Sequence, residues 1–246
     1  MKVTGNTVLI TGGASGIGLA LAKRFYDRDN TVILCGRRED KLAEAKQQMP
    51  NVHSRVCDVA EPAEREQLIR WAKTEFPDLN VLVNNAGIQR RIDLTGEANW
   101  EATASEITIN LEAPIHLAQL AYPHLAKQKD AAIANVTSGL SFSPLANVPV
   151  YCATKAALHS FTLSLRWQLK DTGVEVIEII PPAVDTDLQA PGLHTFGVNV
   201  DEFADHVFSR LEAGKTEIAY GTALAGSRAS REQLDQIYER MNSTFR

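Results

Sequence analysis

At 246 residues the chain has the length of one large α/β domain with a substantial buried core, and no linker or repeat divides it, so a single domain over 1–246 is expected. Its composition is globular, with 44% hydrophobic and 22% charged residues, and a net charge of −5 gives no electrostatic reason for a nucleic-acid or anionic-membrane partner. Apolar runs fall far short of the ~20 residues a membrane span needs. There is no apolar signal core, and Cys35, Cys57 and Cys152 lack disulfide or metal spacing, so a cytoplasmic protein with reduced thiols is expected.

The first strand is expected at 7–10 (TVLI), followed by TGGASGIG at 11–18 and a helical pattern over 16–28. A glycine-rich turn between strand and helix aims free N–H groups and the positive helix end at a phosphate. Gly12, Ser15, Gly16, Ile17 and Gly18 are therefore candidate cofactor residues, against the alternative of a plain tight turn. The second strand, 31–35, ends in CGRRED, with Gly36 where NAD-preferring sites carry an acid. Arg37 and Arg38 offer planar donors to a 2′-phosphate, which favours NADP(H) over NAD(H). The alternative is that both arginines start the helix at 38–48 and pair with Glu39 or Asp40.

A third strand at 52–57 leads to Asp58 and Val59, where the aspartate is placed to accept from an adenine amino group, and a helix follows at 61–75. The fourth strand, 81–83, runs into NNAG at 84–87, whose Asn85, Ala86 and Gly87 let a cofactor lie flat. A long helix at 98–127 holds Asn110, and the fifth strand, 132–136, delivers Ser138. Next comes VYCATKAAL, opening a helix at 151–171 with Tyr151 and Lys155 one turn apart on one face. A phenol can protonate a developing alkoxide, but its ordinary pKa of ~10 is high for exchange near neutrality. The Lys155 ammonium is expected to stabilise the phenolate and lower Tyr151, while Ser138 donates to the substrate oxygen. Ser138 as a turn cap and Asn110 as a buried amide bonded to backbone are the plainer alternatives.

The sixth strand, 174–180, is followed by PPAVDT, which brings in Pro181, Val184 and Thr186, and by an irregular segment, 183–200, read as a substrate loop. A helix at 201–213 and a strand at 216–220 follow. The stretch GTALAGSRA is read as flexible, and a capping box of Ser230 and Gln233 opens a tail helix at about 228–242 with Leu234, Ile237, Tyr238 and Met241 on one stripe. Alternating strands and crossover helices imply a doubly wound parallel sheet with helices on both faces. The histidines show no pairing that suggests a metal site or triad.

With T-G-x-x-x-G-x-G at 11–18, N-N-A-G at 84–87, Asn110, Ser138 and Y-x-x-x-K at 151–155, the chain resembles the short-chain dehydrogenase/reductase family over essentially its whole length. PPAVDTDL and EIAYG are similar to a DltE-like bacterial subgroup of it. The resemblance implies a seven-stranded Rossmann-like sheet, a nicotinamide cofactor and alcohol/carbonyl oxidoreduction. It also implies that Lys155 holds the nicotinamide ribose and Asn110 a water relay to it, and it favours a homodimer or homotetramer built on the long helices.

One departure is Pro182, where the family usually has glycine. Leu140, Phe142, Val148, Leu188 and Phe196 are expected to wall the substrate site, which suits a ketone, aldehyde or alcohol, with Gln89, Arg90 and Arg91 in reach of a carboxylate. An NAD-dependent alcohol dehydrogenase and a cofactor-sensing protein without turnover are the competing functions. No metal is expected.

Overall fold

Val8, Leu9 and Ile10 have no exposed surface, and the strand they form is the centre of the fold. The computed structural model describes residues 1–97, 99–190 and 192–243. Ala98, where the long fourth helix is predicted to begin, and Pro191, within the predicted substrate loop, lie outside them. Strand β1 (Thr7–Thr11) pairs in parallel with β2 (Thr31–Gly36) and β4 (Leu79–Asn84), and β3 (His53–Val56) pairs with β2. On the other side β4 continues into β5 (Ala131–Val136), β6 (Val174–Ile180) and β7 (Glu217–Ala219), giving the order β3-β2-β1-β4-β5-β6-β7. Connections leave β1 and β4 in opposite directions, which opens a crevice at the carboxyl ends of the strands.

Alternate strand residues feed two cores. Val8, Ile10 and Val83 face α1 (Gly16–Tyr26), α2 (Glu39–Gln48) and α7 (Val200–Glu212), where Phe25 and Phe208 meet edge to face at 4.7 Å. Leu9, Leu82 and Ile133 face α3 (Pro62–Glu75) and α5 (Ala113–Leu125), with Leu68 and Leu117 among the buried partners. Truncating such a side chain to alanine costs about 2–5 kcal/mol.

The single helix predicted at 98–127 is three segments: α4 (Trp100–Ile107), a π-helical turn (Thr108–Glu112) and α5. The wider turn carries Asn110 inward, an arrangement that recurs at functional sites. Helix α6 spans Pro149–Gln168, its proline set at a helix start where no N–H is missed. The stretch read as flexible is instead α8 (Gly221–Ser227), because Ala223 buries against Gly139 and Ile180. The capping box forms as predicted and starts α9 (Arg231–Asn242). Its last residue turns back on the domain: Asn242 Nδ2 donates to Pro144 O at 3.0 Å and its Oδ1 accepts from Ala146 N at 2.6 Å.

Candidate active site

The crevice holds a cavity of about 720 Å³, with the glycine-rich turn and arginine pair at one end and Tyr151 and Lys155 at the other. Gly12 adopts φ +62°, and a Cβ there would stand 2.9 Å from Ala86 Cα; Gly16, at φ +53°, opens α1 beside Thr186. Backbone and helix end are thus free to approach a pyrophosphate. Thr11 completes this end, its Oγ1 accepting from Asn85 N and Ala86 N at 3.0 Å each, while Asn85 Nδ2 donates to Thr11 O at 2.9 Å. That hydroxyl, from the threonine that opens the T-G-x-x-x-G-x-G motif, ties β1 to β4.

Ser15, Ile17, Arg37, Arg38, Asp58 and Val59 line the same end. The arginines do not pair with Glu39 or Asp40. Arg38 Nη2 donates to Ser15 Oγ at 3.0 Å, and Arg37 lies 3.6 Å from Asp58, a partly exposed pair of little energetic worth. A Cβ on Gly36 would meet nothing within 4 Å, so packing does not demand glycine there. Two of the candidate cofactor-binding residues stand elsewhere. Gly18 does not face the cavity, and a Cβ on it would fall 2.4 Å from Asn85 Nδ2 and Gly12 O, so it permits close packing of α1. Val184 is buried and bridges Val198, closing the base of the 183–200 loop; Pro181 and Thr186 on either side do line the cavity.

At the other end Tyr151 and Lys155 are both buried, the ammonium 5.6 Å from the phenol ring centroid and donating to Val136 O at 2.8 Å. Burial lowers Lys155 to about 8. Burial also pushes the Tyr151 phenol above its usual range, and a hydrogen bond with Ser138 pulls it back in part. This corrects the expected lowering: without solvent around it the phenolate is disfavoured, and the ammonium is engaged with a carbonyl. Ser138 Oγ also accepts from Leu140 N at 3.1 Å, so the serine both caps a turn and meets the tyrosine.

Asn110 is clamped to Ile88, its Oδ1 accepting from Ile88 N at 2.8 Å and its Nδ2 donating to Ile88 O at 2.7 Å. A Cβ on Gly87 would lie 3.3 Å from Asn110 Oδ1 and 3.6 Å from Lys155 Nζ, so the glycine keeps the space between them open. Of the expected substrate walls, Leu188 lines the cavity. Val148 packs instead with Tyr151 and Cys152, Phe142 packs on Ala219 and Ala223, and Phe196 is 77% exposed. These positions sit at turn residues whose direction a hydropathy pattern does not report.

No sequence pattern marks Glu106 or the His159–Glu178 pair. Glu106 on α4 has no exposed surface; its Oε1 accepts from Arg90 N at 3.3 Å and burial raises it to about 7.

Residues 6–195 match the profile of the short chain dehydrogenase family. The chain belongs to the short-chain dehydrogenase family. It is 53% identical over 249 aligned residues, 99% of each chain, to the uncharacterized oxidoreductase DltE of Bacillus subtilis. It is 34% identical over 76% of its length to an uncharacterized oxidoreductase of Staphylococcus epidermidis, covering 81% of that protein. A short chain dehydrogenase from Burkholderia cenocepacia solved with NADP superposes with TM-score 0.84 at 26% identity, over 98% of this chain and 99% of that one. A relative from Burkholderia phymatum solved with NAD shares the fold at TM-score 0.87 and 20% identity, over 96% of each chain. As a short-chain dehydrogenase, the chain is an oxidoreductase of a family whose solved neighbours hold NAD or NADP. Among its described residues no helix is long and apolar enough to cross a membrane.

Proposed function

We propose that the protein is an NADPH-dependent oxidoreductase that interconverts a carbonyl compound and its alcohol, with Tyr151 as the acid/base. The observation that carries this reading is the sharing of one cavity by the glycine turn, Arg37, Arg38, Tyr151 and Lys155. The glycine cradle fits a dinucleotide pyrophosphate because Gly12 and Gly16 take positive φ in a turn that opens the N-terminus of α1 onto the cavity, and Gly12 carries no Cβ to collide with Ala86. Arg37 and Arg38 suit a 2′-phosphate, Asp58 and Val59 the adenine, and Asn85, Ala86, Gly87, Pro181 and Thr186 the nicotinamide half.

When bound, the cofactor supplies the hydride to the carbonyl carbon. Tyr151, a protonated phenol buried at the end of the cavity, gives its proton to the carbonyl oxygen as charge develops there. Ser138 orients that oxygen. Lys155, lowered to about 8, carries a proton it can return to the phenolate near neutral pH. Asn110 holds the Ile88 backbone, which keeps Gly87 open beside Lys155. Leu188 and the apolar part of the cavity suit a ketone or aldehyde of medium size.

The reading includes a homodimer or homotetramer. Trp100 and Trp167, each 71% exposed, stand on α4 and α6, the helices on which such an assembly would be built. The whole chain is read as one cofactor-binding domain.

A panel of ketones and aldehydes assayed with NADPH and with NADH tests the reading. Reduction with kcat/KM at least tenfold higher for NADPH is expected. Equal or better use of NADH sinks the cofactor assignment, and NADPH binding with no turnover across the panel sinks the enzyme.

A further inference from the structure

His159 stands one helical turn beyond Lys155 on α6, facing β6. Its Nδ1 lies 2.8 and 3.0 Å from the two carboxylate oxygens of Glu178, a residue with no exposed surface. The same carboxylate accepts from Thr137 Oγ1 at 2.7 Å. Thr137 directly precedes Ser138, and main-chain bonds on either side, Thr137 N to Ile179 O and Gly139 N to Pro181 O at 2.9 Å each, fasten that strand end to β6.

A carboxylate this deep needs a counter-charge as well as hydrogen bonds. Thr137 supplies only a hydroxyl; His159 supplies the cation, and the hydrogen bond with Glu178 raises its imidazole above the ordinary range. The charged groups around the imidazole are Glu178 from β6 and Glu217 from β7, which favour protonation, and Arg166 on α6 itself, which opposes it. On its remaining side the Phe142 ring stands edge-on at 4.8 Å. The pair thus touches both the strand end that carries Ser138 and a side chain in the turn after it.

We propose that His159 and Glu178 are positioning residues that hold Thr137, and through it Ser138, in register with Tyr151. The inference rests on the reductase reading above. The sign of its pH dependence follows from the direction of the shift. A histidine raised in the folded state contributes stability that is present in full below its unfolded value of ~6.5 and is lost as pH rises through the folded value. Loss of the proton leaves the buried carboxylate without a cation and loosens its hold on Thr137.

Two measurements on the full-length protein test this. The first needs no turnover: an NMR titration of the His159 ring, assigned by comparison with His159→Asn, in the parent and in Glu178→Gln. A titration above ~6.5 in the parent that falls in Glu178→Gln is expected; an unchanged midpoint overturns the pairing. The second is steady-state reduction of an accepted carbonyl. His159→Leu is expected to lower kcat at least tenfold while the KM for NADPH stays within about twofold. His159→Asn retains an N–H donor near the Nδ1 position and should recover most of the loss, without the fall in kcat at high pH shown by the parent.

A parent that reduces a carbonyl with His159→Leu equally active overturns the positioning role alone. A parent that reduces none overturns the function and the role together. Equal impairment of the Leu and Asn variants, with NADPH binding lost in both, reports damage to the fold and also counts against the proposal.

Discussion

Glu106 is a carboxyl group buried with one oxygen unpartnered among the described residues, and Glu106→Gln should change how stability depends on pH. Burial is the largest influence and raises the group from 4.5 to about 7, with the Arg90 backbone N–H and the Arg90 charge pulling the other way. Between those values the unfolded chain has released a proton that the folded chain keeps, so stability falls as pH rises through that window. At about 1.4 kcal/mol per pH unit the gap corresponds to roughly 2–4 kcal/mol. For a chain of this size that is on the order of 5–10 °C in melting temperature. Glutamine cannot ionise, and whatever its amide costs in the same pocket is the same at every pH. The assay is a pair of melting curves for parent and variant at several pH values from about 5 to 8. The melting temperature of the variant minus that of the parent should climb by roughly 5–10 °C across the range. A flat difference would falsify the account of Glu106 as a neutral buried acid. Because the ionised group also pushes Tyr151 further up, the variant should lose any alkaline inhibition that Glu106 imposes.

Gly36→Asp, which has open space for its side chain, should turn cofactor preference toward NAD by at least tenfold in the kcat/KM ratio, since a carboxylate there repels a 2′-phosphate and accepts from ribose hydroxyls. An unmoved ratio removes the basis for the NADP assignment. Gly18→Ala, forced to within 2.4 Å of Asn85 Nδ2 and Gly12 O, should lower the melting temperature by several degrees and weaken NADPH binding together, and a variant as stable as the parent contradicts the packing role. A chain ending at Arg228 keeps α8 but loses the Asn242 latch on Pro144 and Ala146, and should show a raised carbonyl KM with NADPH affinity retained. An unchanged carbonyl KM contradicts the role of that latch.

The phosphate turn, NNAG and the Tyr151–Lys155 pair were legible because each is a local solution at a strand end or helix start, written in residues close in sequence. Glycines at 12 and 16 and a one-turn spacing carry their geometry with them. The His159–Glu178 pair joins a helix to a strand 19 residues on, and only the fold brings them together. Glu106 reads as a polar position on an exposed helix until α4 is packed against the Tyr151 region. The sign of the Tyr151 shift was missed for the same reason: proximity to Lys155 follows from spacing, whereas desolvation depends on everything else around the ring. The π-helical turn at Asn110 and the helix at 221–227 were missed because local propensity prefers a continuous helix in one case and a flexible loop in the other.

Whether Tyr151 delivers the proton during carbonyl reduction is decided by Tyr151→Phe. NADPH affinity, followed by nicotinamide fluorescence, and kcat on an accepted ketone are measured on the same preparation. The phenylalanine ring fills the same buried space, so binding should stay within about threefold of the parent while kcat falls by a factor of roughly 10²–10⁴. A variant that binds NADPH and reduces the ketone within a few-fold of the parent rate contradicts the claim.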